Sequence, residues 1–369
     1  MFFKKIIVLS DQTYLYDFAY KKRVDYVAYL FSKRMKAEYS IDVFGYRVSK
    51  KETDYDKNNV RNFSYSSRVV GKIFSYIISA LCYRAPEENT SFLLVENLLS
   101  ALPLLFSRKI KFHLDLHGDV VDELRTLRPH TPTIILNLLR SFERRILIKA
   151  SSISVCSENH KVIISFILGG HYKSVEVIPN VSFVQSDANI SHYGDDEFFD
   201  FKKDKRVIVY AGSGLSWQRP EDMLRFFKML TFEVDDLCFL ILTNDLDLFK
   251  GLVHKIDLAD RYVLIKPVRH ENIRFYYDNS DYGIIFRDFS TTNLVACPTK
   301  LIEYALMGLP IICSGHLGDF KRNNASSNGL IEINEISINA VKEVAELFRI
   351  SAGLRYKYNL TGIGRGNNG

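Results

Sequence analysis

The chain has 369 residues, 47% hydrophobic and 25% charged, with 49 Lys and Arg against 43 Asp and Glu for a net charge of +6. The apolar content excludes an intrinsically disordered chain, and 19 Gly and 9 Pro exclude collagen-like and low-complexity repeats. At roughly 100–200 residues per domain, the length fits two domains, and the mild basicity suits an anionic ligand or surface without selecting either.

The first apolar run, Ile6–Leu9, is too short for a secretory signal, and no small-residue cleavage site follows it; it reads as a buried strand over Lys5–Leu9. Further strands are expected at Ile41–Tyr46, Ser91–Glu96, Lys111–Leu116, Ser152–Cys156 and Val175–Ile178. Amphipathic helices are expected at Tyr20–Met35 and Pro132–Lys149. No apolar stretch reaches the ~18 residues of a membrane span. The nearest, Val69–Tyr83, has helical spacing and a wide apolar face, which suits packing on a sheet or lying on a bilayer surface.

The polar, acidic segment from Ser182 to Lys205 breaks the alternation and reads as the interdomain connection. Beyond it, strands are expected at Arg206–Tyr210, Cys238–Thr243, Val263–Lys266, Tyr282–Phe286 and Pro310–Cys313. Helices are expected at Pro220–Leu230, Asp247–Lys255, Glu271–Asn279, Pro298–Met307 and Ile336–Leu347. Strands separated by helices imply βαβ units and parallel sheets. The fold class is therefore α/β, with two doubly wound, Rossmann-like domains: 1–183, a linker at 184–204, and 205–350, followed by a tail at 351–369 expected to fray. Open sheets of this kind bind ligands beyond the carboxyl ends of their strands.

The cysteines at 82, 156, 238, 297 and 313 form no C-x-x-C pair, which excludes a zinc knuckle and fits reduced thiols in a cytosol. The richest segment is Asp281–Cys313. A strand ends near Arg287, Pro298 opens a helix, and Lys300 and Glu303 share one face near its start. Gly308 fits the cap before the next strand. A helix N-terminus with a lysine suits a phosphate, and a carboxylate one turn on suits ribose hydroxyls. Taken alone, the same spacing also suits a surface Lys–Glu pair.

The whole string Pro-x-Lys-x-x-Glu-Tyr-x-x-x-Gly-x-Pro over 298–310 resembles the donor-binding motif of retaining glycosyltransferases with the GT-B fold, nearest the family 4-like group of bacterial surface polysaccharide synthesis. Ile178-Pro179-Asn180 resembles the end of that family's first domain, and Val209–Gly214 the strand and glycine turn opening its second. The resemblance implies donor binding by Gly212, Ser213, Gly214, Arg219, Arg287, Pro298, Thr299, Lys300 and Glu303. Arg219 stands where the family places a basic residue against the diphosphate. Asp115-x-His117-Gly118 looks like the family's Asp-x-His-Gly, which implies that His117 meets the donor sugar. Asp115, Gly118 and Glu96, beside Asn97, would lie on the acceptor side. Glu143 and Ser157 echo family positions, and Glu143 reads as structural.

One position departs: the family often carries a glutamate seven residues before the one matched by Glu303, and the chain has Val295 there. Asp288, Arg287 or the backbone at Asn293–Ala296 would then hold the sugar. The resemblance implies transfer from a nucleoside-diphosphate sugar to an acceptor hydroxyl, with His117, Lys300 and Glu303 as the catalytic set. The acceptor would be a glycan or lipid-linked, with the enzyme in the cytoplasm and peripheral contact with anionic membrane coming through Val69–Tyr83 and the basic Arg140, Arg144, Arg145 and Lys149. No cofactor is expected, and with no ligand cluster of recognisable spacing no metal either. No nucleic acid is expected as a partner, since the charge is modest and no recognised module appears. A nucleotide-sugar epimerase and a catalytically inactive sugar-nucleotide-binding subunit are the alternatives.

Overall fold

In a computed structural model the chain divides into two compact units, Met1–Pro179 and Asn180–Gly369. The structure describes residues 5–11, 18–47, 60–66, 91–101, 104, 110–171, 173–182, 194–350, 354–358 and 364–365. The expected helix at Val69–Tyr83 lies outside them.

The first unit is a parallel sheet of seven strands: β1 (Lys5–Asp11), β2 (Glu38–Arg47), β3 (Val60–Ser66), β4 (Ser91–Glu96), β5 (His113–Leu116), β6 (Ser152–Val155) and β7 (Ser174–Val177). Their order is β3-β2-β1-β4-β5-β6-β7, so the chain reverses direction across the sheet between β1 and β4. Its helices are α1 (Phe18–Met35), α2 (Asn97–Ser100), α3 (Val120–Leu127), α4 (Thr133–Lys149) and α5 (Glu158–Leu168). Side chains alternate across a strand, and both faces of a parallel sheet are covered, so a continuous apolar run is needed. In β1, Ile6 and Val8 pack with Val24, Val27 and Phe31 of α1, whereas Ile7 and Leu9 join Ile146 and Leu147 of α4 and Ile164 of α5.

The second unit opens with β8 (Val181–Ser182) and α6 (Asp196–Lys202). Its six-stranded parallel sheet contains β9 (Arg206–Ala211), β10 (Leu237–Leu242), β11 (Val263–Lys266), β12 (Tyr282–Phe286), β13 (Ile311–Ser314) and β14 (Leu330–Glu332), in the order β11-β10-β9-β12-β13-β14. A last strand, β15 (Gly364–Arg365), pairs in parallel with β8. The helices are α7 (Pro220–Leu230), α8 (Leu246–Lys255), α9 (Ile273–Asp278), α10 (Thr291–Val295), α11 (Thr299–Leu306), α12 (Asp319–Asn323) and α13 (Ile338–Ile350). The same alternation divides β9: Ile208 and Tyr210 face α7 and α13, and Val207 and Val209 face α11.

Each strand expected from the sequence falls on one of these. The unexpected β3 and β14 lie at sheet edges, where a strand is short or polar and its periodicity is faint. The acidic stretch read as a bare connection contains α6, whose Phe198 is fully buried in the second unit's core. The tail read as frayed is held over part of its length. The Tyr356 N–H donates to the Gly308 carbonyl at 2.8 Å, and the Tyr358 hydroxyl lies 2.7 Å from the Leu309 carbonyl oxygen and 2.8 Å from that of Gly329, able to donate to either. Gly308 caps α11 with φ of 70°, and a Cβ there would lie 3.0 Å from the Tyr356 carbonyl oxygen.

Candidate functional site

In the second unit the chain-order reversal falls between β9 and β12, and side chains gather beyond the carboxyl ends of these strands and of β13. β9 runs into Gly212, whose φ is 151°. A Cβ on Gly212 would come within 2.5 Å of Lys300 Nζ, so only glycine leaves room for the lysine. Lys300 enters from the first turn of α11 and is 7% exposed. Its Nζ donates to Gln218 Oε1 at 2.7 Å and sits 4.2 Å from the centroid of the Tyr210 ring. Burial, with the Arg287 guanidinium nearby, holds its pKa well below the ordinary lysine value.

Arg287 follows β12 and is also buried; burial lowers its pKa to about 10. One Nη1–H donates to Asn293 Oδ1 at 2.6 Å, and its Nε has no hydrogen-bond partner. Among the described residues neither Lys300 nor Arg287 makes an ion pair: both cations are satisfied only by neutral groups. Arg219, placed by a left-handed backbone (φ 47°) at the start of α7, pairs with Asp222 at 2.8 Å and reaches Ser314 Oγ at 3.4 Å.

The glycine turn contributes space more than donors. The Gly212 N–H donates to the Leu242 carbonyl and the Gly214 N–H to Asp245 Oδ2, while Ser213 offers its carbonyl to the Tyr210 hydroxyl. Pro298 is the N-cap of α11, which leaves the amides of Thr299 and Lys300 at the helix opening. Val295 is fully buried, so no carboxylate stands in the position of the family's first glutamate. Asp288 is engaged internally by Ser290 Oγ at 2.6 Å and by Asn293 Nδ2.

Glu303, one turn after Lys300, is 5% exposed. Its Oε2 accepts from the Tyr277 hydroxyl at 2.9 Å, and its Oε1 lies 3.1 Å from His270 Nε2 and 3.4 Å from Ser182 Oγ. Burial and the adjacent carboxylate hold the Tyr277 phenol well above its ordinary pKa, so it is a donor at neutral pH. The Tyr277→Phe variant is expected to lose about 2 kcal/mol of stability, the usual cost of leaving a buried charged acceptor short of one donor, as read by urea denaturation of the full chain. An unchanged midpoint would show that water replaces the phenol.

In the first unit, Glu96 ends β4, Asp115 lies in β5 and His117 follows it. His117 Nε2 is 2.8 Å from Glu96 Oε2 and 3.1 Å from Asp115 Oδ2. Arg23, from α1, clamps Asp115 with Nε at 3.0 Å and Nη2 at 2.7 Å, and also donates to the Ile178 carbonyl. Ser154 Oγ donates to Asp115 as well. Burial pushes the Glu96 carboxyl up. Asp115 is held low against burial by Arg23 and His117, and His117 is raised against burial by the two carboxylates. His117 is the partly exposed member, at 19% of its side chain, while both carboxylates are fully buried.

Gly118 leaves room for Glu123, whose Oε1 would lie 2.5 Å from a Cβ there. Asn97 is left-handed (φ 66°) and its Oδ1 accepts from the Ser100 N–H. Ser157 caps α5 by accepting from the His160 N–H at 3.0 Å. Glu143 is structural: with Asp119 it binds Arg140 from beneath.

The Glu96, Asp115 and His117 ligand atoms lie within 4.8 Å of one another, the group of the described residues able to hold a metal. The geometry fits a metal poorly, because Arg23 chelates Asp115 and His117 Nε2 already lies against both carboxylates. Of the basic residues expected to face a membrane, Arg140 is turned onto Asp119 and Glu143, and Lys149 donates to the Leu104 carbonyl. Arg144 and Arg145 remain exposed. Arg23, Gln218, His270 and Tyr277 were not marked by any sequence motif.

No protein-family model and no curated protein sequence matches the chain. Solved structures match over most of its length. It is similar to a sucrose-phosphate synthase from Thermosynechococcus elongatus, at 13% identity and a TM-score of 0.66 over 94% of this chain and 90% of that one. It is similar to an alpha,alpha-trehalose-phosphate synthase (UDP-forming) from Burkholderia vietnamiensis, at 10% identity and a TM-score of 0.64 over 95% and 91%. It is also similar to S. aureus MnaA, in a structure with UDP, at 13% identity and a TM-score of 0.57 over 94% and 88%. At such identities the likeness is one of fold, and the fold is that of two Rossmann-like α/β units of the GT-B class.

Proposed function

We propose that the protein is a retaining glycosyltransferase that moves a sugar from a nucleoside-diphosphate sugar to an acceptor hydroxyl. The observation that carries this reading is the buried pair Lys300 and Arg287, two cations with only neutral partners at the carboxyl end of a doubly wound sheet. A buried charge without a counter-ion is costly, and a diphosphate supplies that counter-ion. The UDP in the descriptions of two of the similar structures supports a nucleotide as the donor's carrier.

In this reading Lys300, Arg287, Arg219 and the α11 N-terminus stabilise the charge that develops on the leaving diphosphate, the kind of oriented electrostatics that dominates such catalysis. Glu303, oriented by Tyr277 and His270, accepts the ribose hydroxyls. The His117 cluster of the first unit takes sugar and acceptor hydroxyls. The motif over 298–310 supports the family 4-like subtype, with a growing bacterial surface glycan or a lipid-linked acceptor met at the inner membrane face.

The test is calorimetric titration of UDP and GDP into the wild type and Glu303→Gln, then turnover of the matching sugar nucleotides with and without acceptor. Glu303→Gln is expected to weaken binding about tenfold, since a hydrogen bond to a charged group contributes about 1.5–3 kcal/mol. Unchanged affinity in that variant would overturn the site assignment. Donor consumed without acceptor would favour an epimerase, and tight binding with no turnover an inactive subunit.

A further inference from the structure

The first two turns of α4 expose more apolar surface than a helix packed on a sheet requires. Ile134 is 70% exposed, Leu138 65%, Ile135 43% and Leu139 36%, and Leu127 at the end of α3 is 52% exposed. The same helix buries Leu136, Ile146 and Leu147 against the first unit's core. Ile134 and Leu138 are four apart and stack in one row pointing away from Leu136, with Ile135 and Leu139 in the row beside it. Over this stretch α4 is therefore apolar on two sides, one of them open to solvent. One apolar stripe suffices for packing on a core, whereas a second, grouped and exposed, marks a surface for a partner.

The surrounding charges select that partner. Between 119 and 149 every exposed charged side chain is an arginine: Arg125, Arg128, Arg144 and Arg145. The acids of this stretch are turned in: Asp119 and Glu143 are buried under Arg140, and Asp122 and Glu123 are half-buried. An apolar patch in a stretch whose exposed charges are all guanidinium groups complements an anionic bilayer, whose acyl boundary takes the leucines and isoleucines and whose phosphates take the arginines.

We propose that the tip formed by the end of α3 and the start of α4 inserts into the interface of an anionic lipid membrane. Ile134 and Leu138 are its anchors, and Arg144 and Arg145 are part of its charged rim. The surface belongs to the first unit and uses none of the residues assigned to donor binding. It gives a specific location to the membrane contact in the functional reading above, and it rests on that reading only for its purpose.

Flotation of the full chain with phosphatidylcholine vesicles, with and without phosphatidylglycerol, tests the proposal. The wild type is expected to float with the anionic vesicles at low salt and to be released at high salt. Ile134→Glu/Leu138→Glu is expected to lower the bound fraction roughly tenfold, and Arg144→Glu/Arg145→Glu to remove the preference for phosphatidylglycerol. Thermal melts and nucleotide affinity of the same samples should match the wild type. A wild type that stays with the soluble fraction, or an Ile134/Leu138 variant that floats like it, overturns the proposal. So does a concentration-dependent dimer, seen by sedimentation, that the Ile134/Leu138 substitutions abolish in the absence of vesicle binding. Because nucleotide affinity is read separately, failure here is distinguishable from failure of the donor site.

Discussion

Lys300→Met is expected to weaken nucleoside-diphosphate binding by about a hundredfold or more while leaving the fold as stable as the wild type, or more so. The two effects have one cause. In the free protein the ammonium is buried, bonded to a neutral amide and repelled by Arg287, so methionine removes a desolvated charge and keeps its stem. With a diphosphate present, the same charge faces an anion in a dry setting, where losing one partner typically costs 2–5 kcal/mol, taken here as about 3 kcal/mol. Calorimetry and thermal melts on one preparation test this. Parallel loss of stability and affinity would show a merely structural lysine.

The sign of the accompanying pH effect follows from the depressed pKa. A bound phosphate raises the pKa of Lys300 again, so binding takes up protons wherever pH lies between the free and bound values. Affinity should then fall as pH rises through that window, and the heat of binding should vary with the buffer's ionisation enthalpy. The Lys300→Met variant should lose both dependences.

The second large effect is expected in the first unit. Arg23→Ala should destabilise it by about 3–5 kcal/mol, the usual cost of breaking a buried pair and leaving one charge uncompensated. Arg23 is 4% exposed and Asp115 fully buried. The substitution also leaves the Ile178 carbonyl without this donor, and Asp115 and Glu96, both against His117, without the Arg23 guanidinium. Hydrogen exchange at the amides of β4 and β5 in the full chain reads the loss locally, without assuming that two units unfold as one. A loss below about 1 kcal/mol would mean that water reaches Asp115 and that the cluster is not desolvated.

The contrast between what the sequence does and does not disclose has a physical pattern. Buried strands such as Arg206–Ala211 are visible because both faces must be apolar, and the α11 segment is visible because helix capping, a lysine and a glutamate recur at fixed offsets along a single helix. The partners of those residues are not visible. Arg23 meets Asp115 across 92 positions and Ser182 meets Glu303 across 121, and no local period encodes such distances. His270 and Tyr277 lie in a segment whose apolar pattern announces a helix but not which polar tips converge on Glu303. The partners of the glycine turn are equally non-local: the Gly212 amide donates to the Leu242 carbonyl and the Gly214 amide to Asp245. In the tail, the alternation Leu-Arg-Tyr-Lys-Tyr over 354–358 was a usable signal, with Tyr358 turned to the protein.

The pairing of β15 with β8 ties residues 364–365 to the threshold of the second unit. Arg365 is in register with Ser182, and Ser182 Oγ reaches the Glu303 carboxylate. Residues 364–365 are thus linked to the candidate donor site through β8 and Ser182.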